Sequence, residues 1–478
     1  MPKRKVNDYF LYKYRYIIGY ILLAVVFVTV LVAAQFVTGG VSKNEMASAV
    51  ASADLSADTF FSENIVNLPF KVLQKLSIGL FGLSVLSIKL PAAILAAGAG
   101  VALLFLLWRW SKTTVVIPAA LLIIASSQFL FCAQDGTPSI LYILLPVLIL
   151  LFGHIAGTGK ELRLPPLLAL SATLAISTYI PFLIYFVIII AATALIHPRV
   201  RFIIKATTHW KLWLALATFL AFIAPLLIAS VLDVNTLRAV FTGGVVDLKL
   251  WQNAKQVFAS FLMANVAQDS PILTPILGLP TTALTIVGFV YGLRQRHRSK
   301  YYVIMGWLLI AIIATIVDPR VIALIFAPTA LLMTKGLAIV IQKWYDLFPE
   351  NSYARVAGLV PIGFFIMVVC YASVLHFFLG YHYTPQVAKH YDDDISLVKK
   401  HLEGGSVILA KKNSLEYKFY KILEGQADVT VTNQPPQKVP ANLVTIGKQD
   451  LPSASKLKLQ QIVTSTKTDN ANRLYVYR

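Results

Sequence analysis

Long apolar runs broken by short polar ones set the pattern of this chain. Runs able to cross ~30 Å of hydrocarbon fall at roughly 17–38, 91–108, 114–132, 138–155, 166–180, 181–197, 213–231, 275–293, 302–317, 321–341 and 356–378. They predict a mainly α, polytopic bundle of about eleven transmembrane helices, with Pro181 dividing the two shortest runs. Two stretches between runs are long, at 40–90 and 232–274. In the first, Leu73, Leu76 and Leu80 share one helical face while Lys71, Gln74 and Lys75 share another, and Asn67 with Pro69 supplies a start. Residues 248–263 have a similar mixed pattern. Both segments read as helices lying in the membrane interface, their lysines reaching toward headgroups. After Gly380 the period changes. A helix over 381–405, strands at 406–410 and 428–432, a helix over 413–423, then strands near 442–447, 460–466 and 473–478 predict a small exterior α/β domain. The expected domains are therefore 1–380, in the membrane, and 381–478.

Composition supports the same class. The chain is 57% hydrophobic and 13% charged, with a mean hydropathy of +0.71. A soluble protein of that balance could not cover its own apolar surface. The net charge is +20, but the cations sit in short clusters between runs, which fits cytoplasmic loops and not the continuous basic face a nucleic acid needs. Arg109 and Lys112, Lys160 and Arg163, Arg199 to Lys211, Arg294 to Lys300, and Lys343 with Arg355 all fall on alternate connections. This places the N-terminus in the cytoplasm and the C-terminal domain outside a plasma membrane crossed many times. The basic N-terminus leads into an apolar run too long for a cleaved signal, so an uncleaved first span is expected. Cys132 and Cys370 lie at or within apolar runs and read as buried and unpaired.

Candidate chemistry is confined to the exterior connections. The chain has no P-loop, GxGxxG, GxSxG, HExxH or CxxC motif. Glu45 lies just beyond the first span, yet Ser42-x-x-Glu45 is equally a capping box. Asp135, in the short turn CAQDGTPS, is either functional or an Asp-Gly turn residue. Arg320 is the lone cation in a short exterior connection, placed to pair with Asp318 or with a lipid phosphate. Lys71 and Lys75 are further phosphate candidates, with interfacial snorkelling as the plainer account. His376 and His382 read as interfacial, and Lys335 as a snorkelling lysine. Asp392–Asp394 reads as a solvated helix start before a metal site.

These residues, in their order, resemble the N-terminal half of the GT-C superfamily, and specifically protein O-mannosyltransferases and lipid A aminoarabinose transferases. In that family an acidic pair follows the first span. A proline-containing segment then leads to Leu-Phe-Gly, Arg/Lys-Leu-Pro opens the second span, and an acid follows the third. Here Glu45 matches the second acid, and Leu68-Pro69-Phe70, Leu80-Phe81-Gly82, Lys89-Leu90-Pro91 and Asp135 match the later landmarks. DPRVIALIFAPTALL is similar to the family's entry into a late span. The first acid of the pair, the family's usual base, is Asn44. The resemblance implies transfer of a sugar from a polyprenyl-phosphate donor to an exterior protein, lipid or glycan. Glu45 or Asp135 would serve as base, and Arg320, Lys71 and Lys75 would meet the donor phosphate. No resident cofactor is implied, and a divalent metal has no support from a DxD in any loop between spans. A transporter or flippase, or a non-catalytic assembly protein, is the competing expectation, although acids are scarce within the spans and no internal repeat is visible.

Overall fold

The computed structural model describes residues 10–37, 39–56, 65–244, 249–262, 274–295, 297–348 and 352–384, and beyond these 387, 390–391, 395–402, 406–410, 414–425, 429–434, 443–446, 458–464 and 473–477. The first helices are α1 (Phe10–Ala34), α2 (Lys43–Ala53), α3 (Leu68–Phe81), α4 (Val85–Trp110), α5 (Thr113–Ile124), α6 (Ser127–Gln134) and α7 (Leu141–Ala156). There follow α8 (Leu164–Ser177), α9 (Leu183–Ile196), α10 (Pro198–Ala206), α11 (His209–Leu232), α12 (Val234–Thr242) and α13 (Leu250–Leu262). The last long ones are α14 (Leu279–Arg294), α15 (Ser299–Val317), α16 (Ala323–Leu347) and α17 (Ser352–Leu375). A π-helical turn, His376–Tyr381, continues α17.

Every apolar run carries helix. Among the described residues seven helices are long and apolar enough to cross a membrane, or nine if the bent pairs α5/α6 (58°) and α9/α10 (80°) each count once. The helices α8 and α14, with 14 and 16 residues, fall short of that length. The α8–α9 break falls where expected, since Pro181 cannot donate into a helix and Phe182 sits at φ 63.

At the centre is α16, with 78% of its span window buried. It meets α14 backbone to backbone. A Cβ built on Gly288 would lie 1.8 Å from the Leu332 carbonyl oxygen, and one on Gly336 would lie 1.9 Å from that of Leu284. Small residues allow such an approach between spans. Gly288→Leu must force the helices apart, so we expect a loss of about 3 kcal/mol, the upper end for overpacking. Thermal unfolding of the detergent-solubilised protein checks this, with Gly363→Ala, where an added Cβ meets nothing within 4 Å, as control.

The interfacial helix α3 forms as predicted, with its faces reversed relative to a soluble helix. Leu76 and Leu80 are 57% and 69% exposed, while Gln74 and Ser77 are buried with Phe70 and Ile78. The leucines face outward, toward lipid, while Gln74 and Ser77 turn into the protein and Lys75 stays exposed. Grouping Gln74 with the solvated lysines is thereby corrected. Asn67 and Pro69 do start the helix, although the Asn67 side chain makes no capping bond.

The terminal region holds a five-stranded sheet in the order β2-β1-β3-β5-β4, made of β1 (Ser406–Leu409), β2 (Val429–Thr432), β3 (Leu443–Ile446), β4 (Leu459–Val463) and β5 (Leu474–Tyr477). The first three strands pair in parallel and the last two join antiparallel. The predicted helix over 381–405 is described only as the tail of the π turn and a short α18 (Ile395–Lys400); α19 (Leu415–Lys421) lies between β1 and β2. Phe419 and Tyr420 of α19 share one apolar core with Met46, Ala49 and Val50 of α2. The sheet unit is thus seated on the loop that follows the first span. Asp392–Asp394 lies outside the described residues. Cys132 and Cys370 are free, the first of them buried.

Candidate active site

The chain leaves α1 and turns into α2 at Ser42, an extended N-cap (φ −83, ψ 160). The capping box forms: Ser42 Oγ accepts from the Glu45 N–H (3.2 Å), and Glu45 Oε2 accepts from the Ser42 N–H (2.8 Å). That is one oxygen only. Glu45 Oε1 accepts from the N–H of Gly136 (2.7 Å), in the turn after α6, and lies 3.6 Å from Lys89 Nζ. The Glu45 and Lys89 side chains are 0% and 1% exposed. A carboxylate whose oxygens are both engaged and out of solvent is a brace. It ties α2, the α4 entry and the α6–α7 turn into one piece. Gly136 is required by this approach, because a Cβ there would lie 2.7 Å from Ile88 and 3.2 Å from Glu45 Oε1.

Lys89 is held from three sides. Its Nζ donates to Gln134 Oε1 (3.2 Å) and lies 4.9 Å from the centre of the Tyr391 ring, a cation–π distance. Gln134 Nε2 in turn donates to the hydroxyls of Tyr381 (3.4 Å) and Tyr391 (3.5 Å), which lie 3.3 Å apart. The segment entering the terminal region therefore covers the lysine. From the other side, buried Gln74 accepts from Ser48 and Ser52 of α2 (2.8 Å each) and donates to the carbonyls of Ile88 (3.1 Å) and Gly136 (2.9 Å).

Asp135 caps the C-terminal end of α6, beside Gly136, and is 5% exposed. The hydroxyls of Thr137 and Ser139 (3.0 Å) both donate to its Oδ2. Among the described residues Oδ1 has no hydrogen-bond partner. Burial pushes its carboxyl from the ordinary 3.8 up to about 7, and the Glu45 charge adds to that against the hydroxyls and Lys89.

Arg320 forks onto Asp318, with Nε 2.9 Å from Oδ1 and Nη2 2.9 Å from Oδ2, so the plainer pairing is present. Its side chain is nonetheless 59% exposed, Nη1 has no protein partner among the described residues, and no hydrogen bond joins it to Glu45 or Asp135. Tyr142, three residues along from Ser139 on α7, lies within the fields of Asp318 and Arg320. On α3, burial holds Lys71 down at about 8, and exposed Lys75 donates to the Leu55 carbonyl. His382 Nδ1 lies against the Val37 carbonyl. Asn44 is exposed. Among the described residues no three of His, Cys, Asp and Glu gather as metal ligands.

No protein-family profile matches the sequence, and no curated protein does. Solved structures do. ArnT from Cupriavidus metallidurans, bound to undecaprenyl phosphate, superposes with a TM-score of 0.53 at 12% identity, over 96% of this chain and 97% of that one. An Archaeoglobus fulgidus oligosaccharyltransferase tethered to an acceptor peptide gives 0.53 at 12% identity, over 88% and 64%. The AglB oligosaccharyltransferase of the same organism, in complex with an inhibitory peptide and a dolichol-phosphate, gives 0.50 at 13%, over 92% and 70%. The chain has the GT-C fold. At such identities the likeness carries the architecture of the multi-pass bundle, and the chemistry rests on this chain's own residues. In this GT-C fold the loop after the first span, the turn after α6 and the terminal unit meet at one end of the bundle, where Glu45 and Asp135 come together.

Sequence reasoning missed Lys89, Gln134, Gln74, Tyr381 and Tyr391. Lys89 carried a signal, as a lysine at the start of an apolar span asks for a partner. Gln74 and Gln134 looked like ordinary polar residues, and nothing local marks Tyr391.

Proposed function

We propose that this protein is a membrane glycosyltransferase that moves a sugar from a polyprenyl-phosphate donor to a protein, lipid or glycan acceptor at the outer face of the plasma membrane. The observation that carries the reading is Asp135, whose Oδ1 has no hydrogen-bond partner among the described residues. It is a buried acid with a raised pKa, braced by the saturated Glu45–Lys89 pair, at one end of a GT-C bundle. The inside bias of the cations supports an outer position for that end, where nucleotide donors are absent and a lipid carries the sugar. In the reaction the acceptor oxygen attacks the anomeric carbon while the bond from that carbon to the phosphate oxygen breaks. The acceptor proton goes to Asp135 Oδ1, and the phosphate leaves on its lipid, its charge met by the exposed donors of Arg320 and by Lys71. Glu45 acts as a positioning residue, a change from its expected role as base.

The raised pKa of Asp135 gives this reading a pH signature. The folded protein keeps the Asp135 proton up to about pH 7, where the unfolded chain has lost it near 3.8. The folded state thus binds more protons, and stability falls as pH rises across that window. The rate rises as pH passes about 7 and the base ionises. Asp135→Asn should flatten both curves. The direct test is transfer from radiolabelled polyprenyl-phosphate sugars by the purified protein; no transfer from any such donor in the parent would overturn the reading.

A further inference from the structure

At the end of the bundle away from the carboxylates, five helices bring cations and aromatic rings into one band. Near the end of α4 the Arg109 guanidinium lies 5.4 Å from the Trp108 ring centre, and Trp110 stands edge-on to His154 of α7, with centroids 6.3 Å apart. Lys300, at the start of α15, places its Nζ 5.6 Å from the Trp110 ring centre and 5.2 Å from that of Tyr301. Tyr301 meets Tyr291 of α14 edge-on at 5.9 Å, and Lys335 of α16 places its Nζ 4.2 Å from the Tyr291 ring centre. Lys300 lies within the fields of Lys335 and Arg298, and His154 within those of Arg109 and Lys300.

Among the described residues Arg109, Arg298, Lys300 and Lys335 make no ion pair, and no carboxylate acts on Lys300 or His154. The Trp110 indole N–H is buried with no acceptor. An inside bias accounts for hydrated surface cations such as Arg298. It does not account for Lys335, which starts midway along the 25 residues of α16 and ends over an aromatic ring beside a second lysine. The band's cations and the indole N–H can only donate, and the tyrosine hydroxyls and His154 carry no negative charge. The missing partner is an anion with several acceptor oxygens. Exposed Trp108, Leu293 and Tyr302 flank it, which suits an anion carrying acyl chains.

We propose that this band binds the phosphate of an anionic phospholipid in the leaflet opposite the carboxylate centre, with Lys300, Lys335 and the Trp110 indole N–H as its donors. The test uses the full-length protein in nanodiscs of mixed phosphatidylcholine and phosphatidylglycerol, with retained lipid counted by native mass spectrometry. Phosphatidylglycerol should be enriched over phosphatidylcholine. Lys300→Gln with Lys335→Gln should weaken that preference by about thirtyfold, taking ~1 kcal/mol for each lysine near an anionic headgroup. The two are also made singly, so that failure of the double variant to fold still leaves a reading. Lys211→Gln, whose lysine already pairs with Glu161 at 2.7 Å, is the control and should keep the preference. Equal retention of the two lipids, or an undiminished preference in the singles, would overturn the proposal. So would inorganic phosphate displacing phosphatidylglycerol at equal concentration, since the site would then take a free anion.

Discussion

Asp135→Asn should lower sugar transfer by about 10²–10⁴-fold, the range for loss of a general base, with thermal stability near neutral pH equal to or above the parent's, since the amide never carries the buried charge. The asparagine keeps an acceptor oxygen for the Thr137 and Ser139 hydroxyls, so the α6–α7 turn can hold its shape. It offers no group that can take a proton from an attacking hydroxyl. The same exchange at Glu45 acts differently. Glu45→Gln keeps one acceptor for Gly136 and loses the charge opposite Lys89. It should therefore lower stability together with rate. Initial-rate transfer assays beside melting curves separate the two residues. A stable, fully active Asp135→Asn protein would remove Asp135 from the base role.

Lys89→Met should be the most destabilising single change at the site, costing about 3–5 kcal/mol, because it leaves Glu45 charged and buried with no cation. Gly136 N–H and Ser42 N–H would still donate to that carboxylate, but neither carries a positive charge. The lysine is also the post on which the tyrosine pair rests, so its loss should loosen the hold of Tyr391 and the terminal unit behind it. Pairing Lys89→Met with Glu45→Gln should recover a large part of the loss, since a neutral pair no longer strands a charge. Urea or thermal unfolding of the four proteins in a double-mutant cycle gives the coupling. A double variant as unstable as Lys89→Met alone would show that the ion pair is not what holds these elements together.

How much of this was legible in the sequence follows from how local each signal is. Helices and strands came out well because apolar runs and period-2 segments are set by neighbours in the chain. What run length alone does not show is that α8 stops at Ser177 or that α5 and α6 part company at Ser126, whose hydroxyl turns back on the Ile123 carbonyl (2.6 Å). Glu45 and Asp135 were found from their places beside spans, and the capping box was visible in Ser42-x-x-Glu45. What makes Glu45 a brace was not visible, because the decisive partners, Lys89 and Gly136, come from later spans and turns. The burial of Gln74 has the same root, since the groups it bonds, Ser48, Ser52, Ile88 and Gly136, lie elsewhere in the chain.

The central claim is that donor phosphate and Asp135 share one space at the end of the bundle where the terminal unit sits. An experimental structure of the protein with polyprenyl phosphate bound tests it most directly. The account expects the lipid phosphate against the exposed donors of Arg320, with Asp135 Oδ1 facing the same opening. A phosphate held elsewhere, with Asp135 walled off from it, would contradict the account.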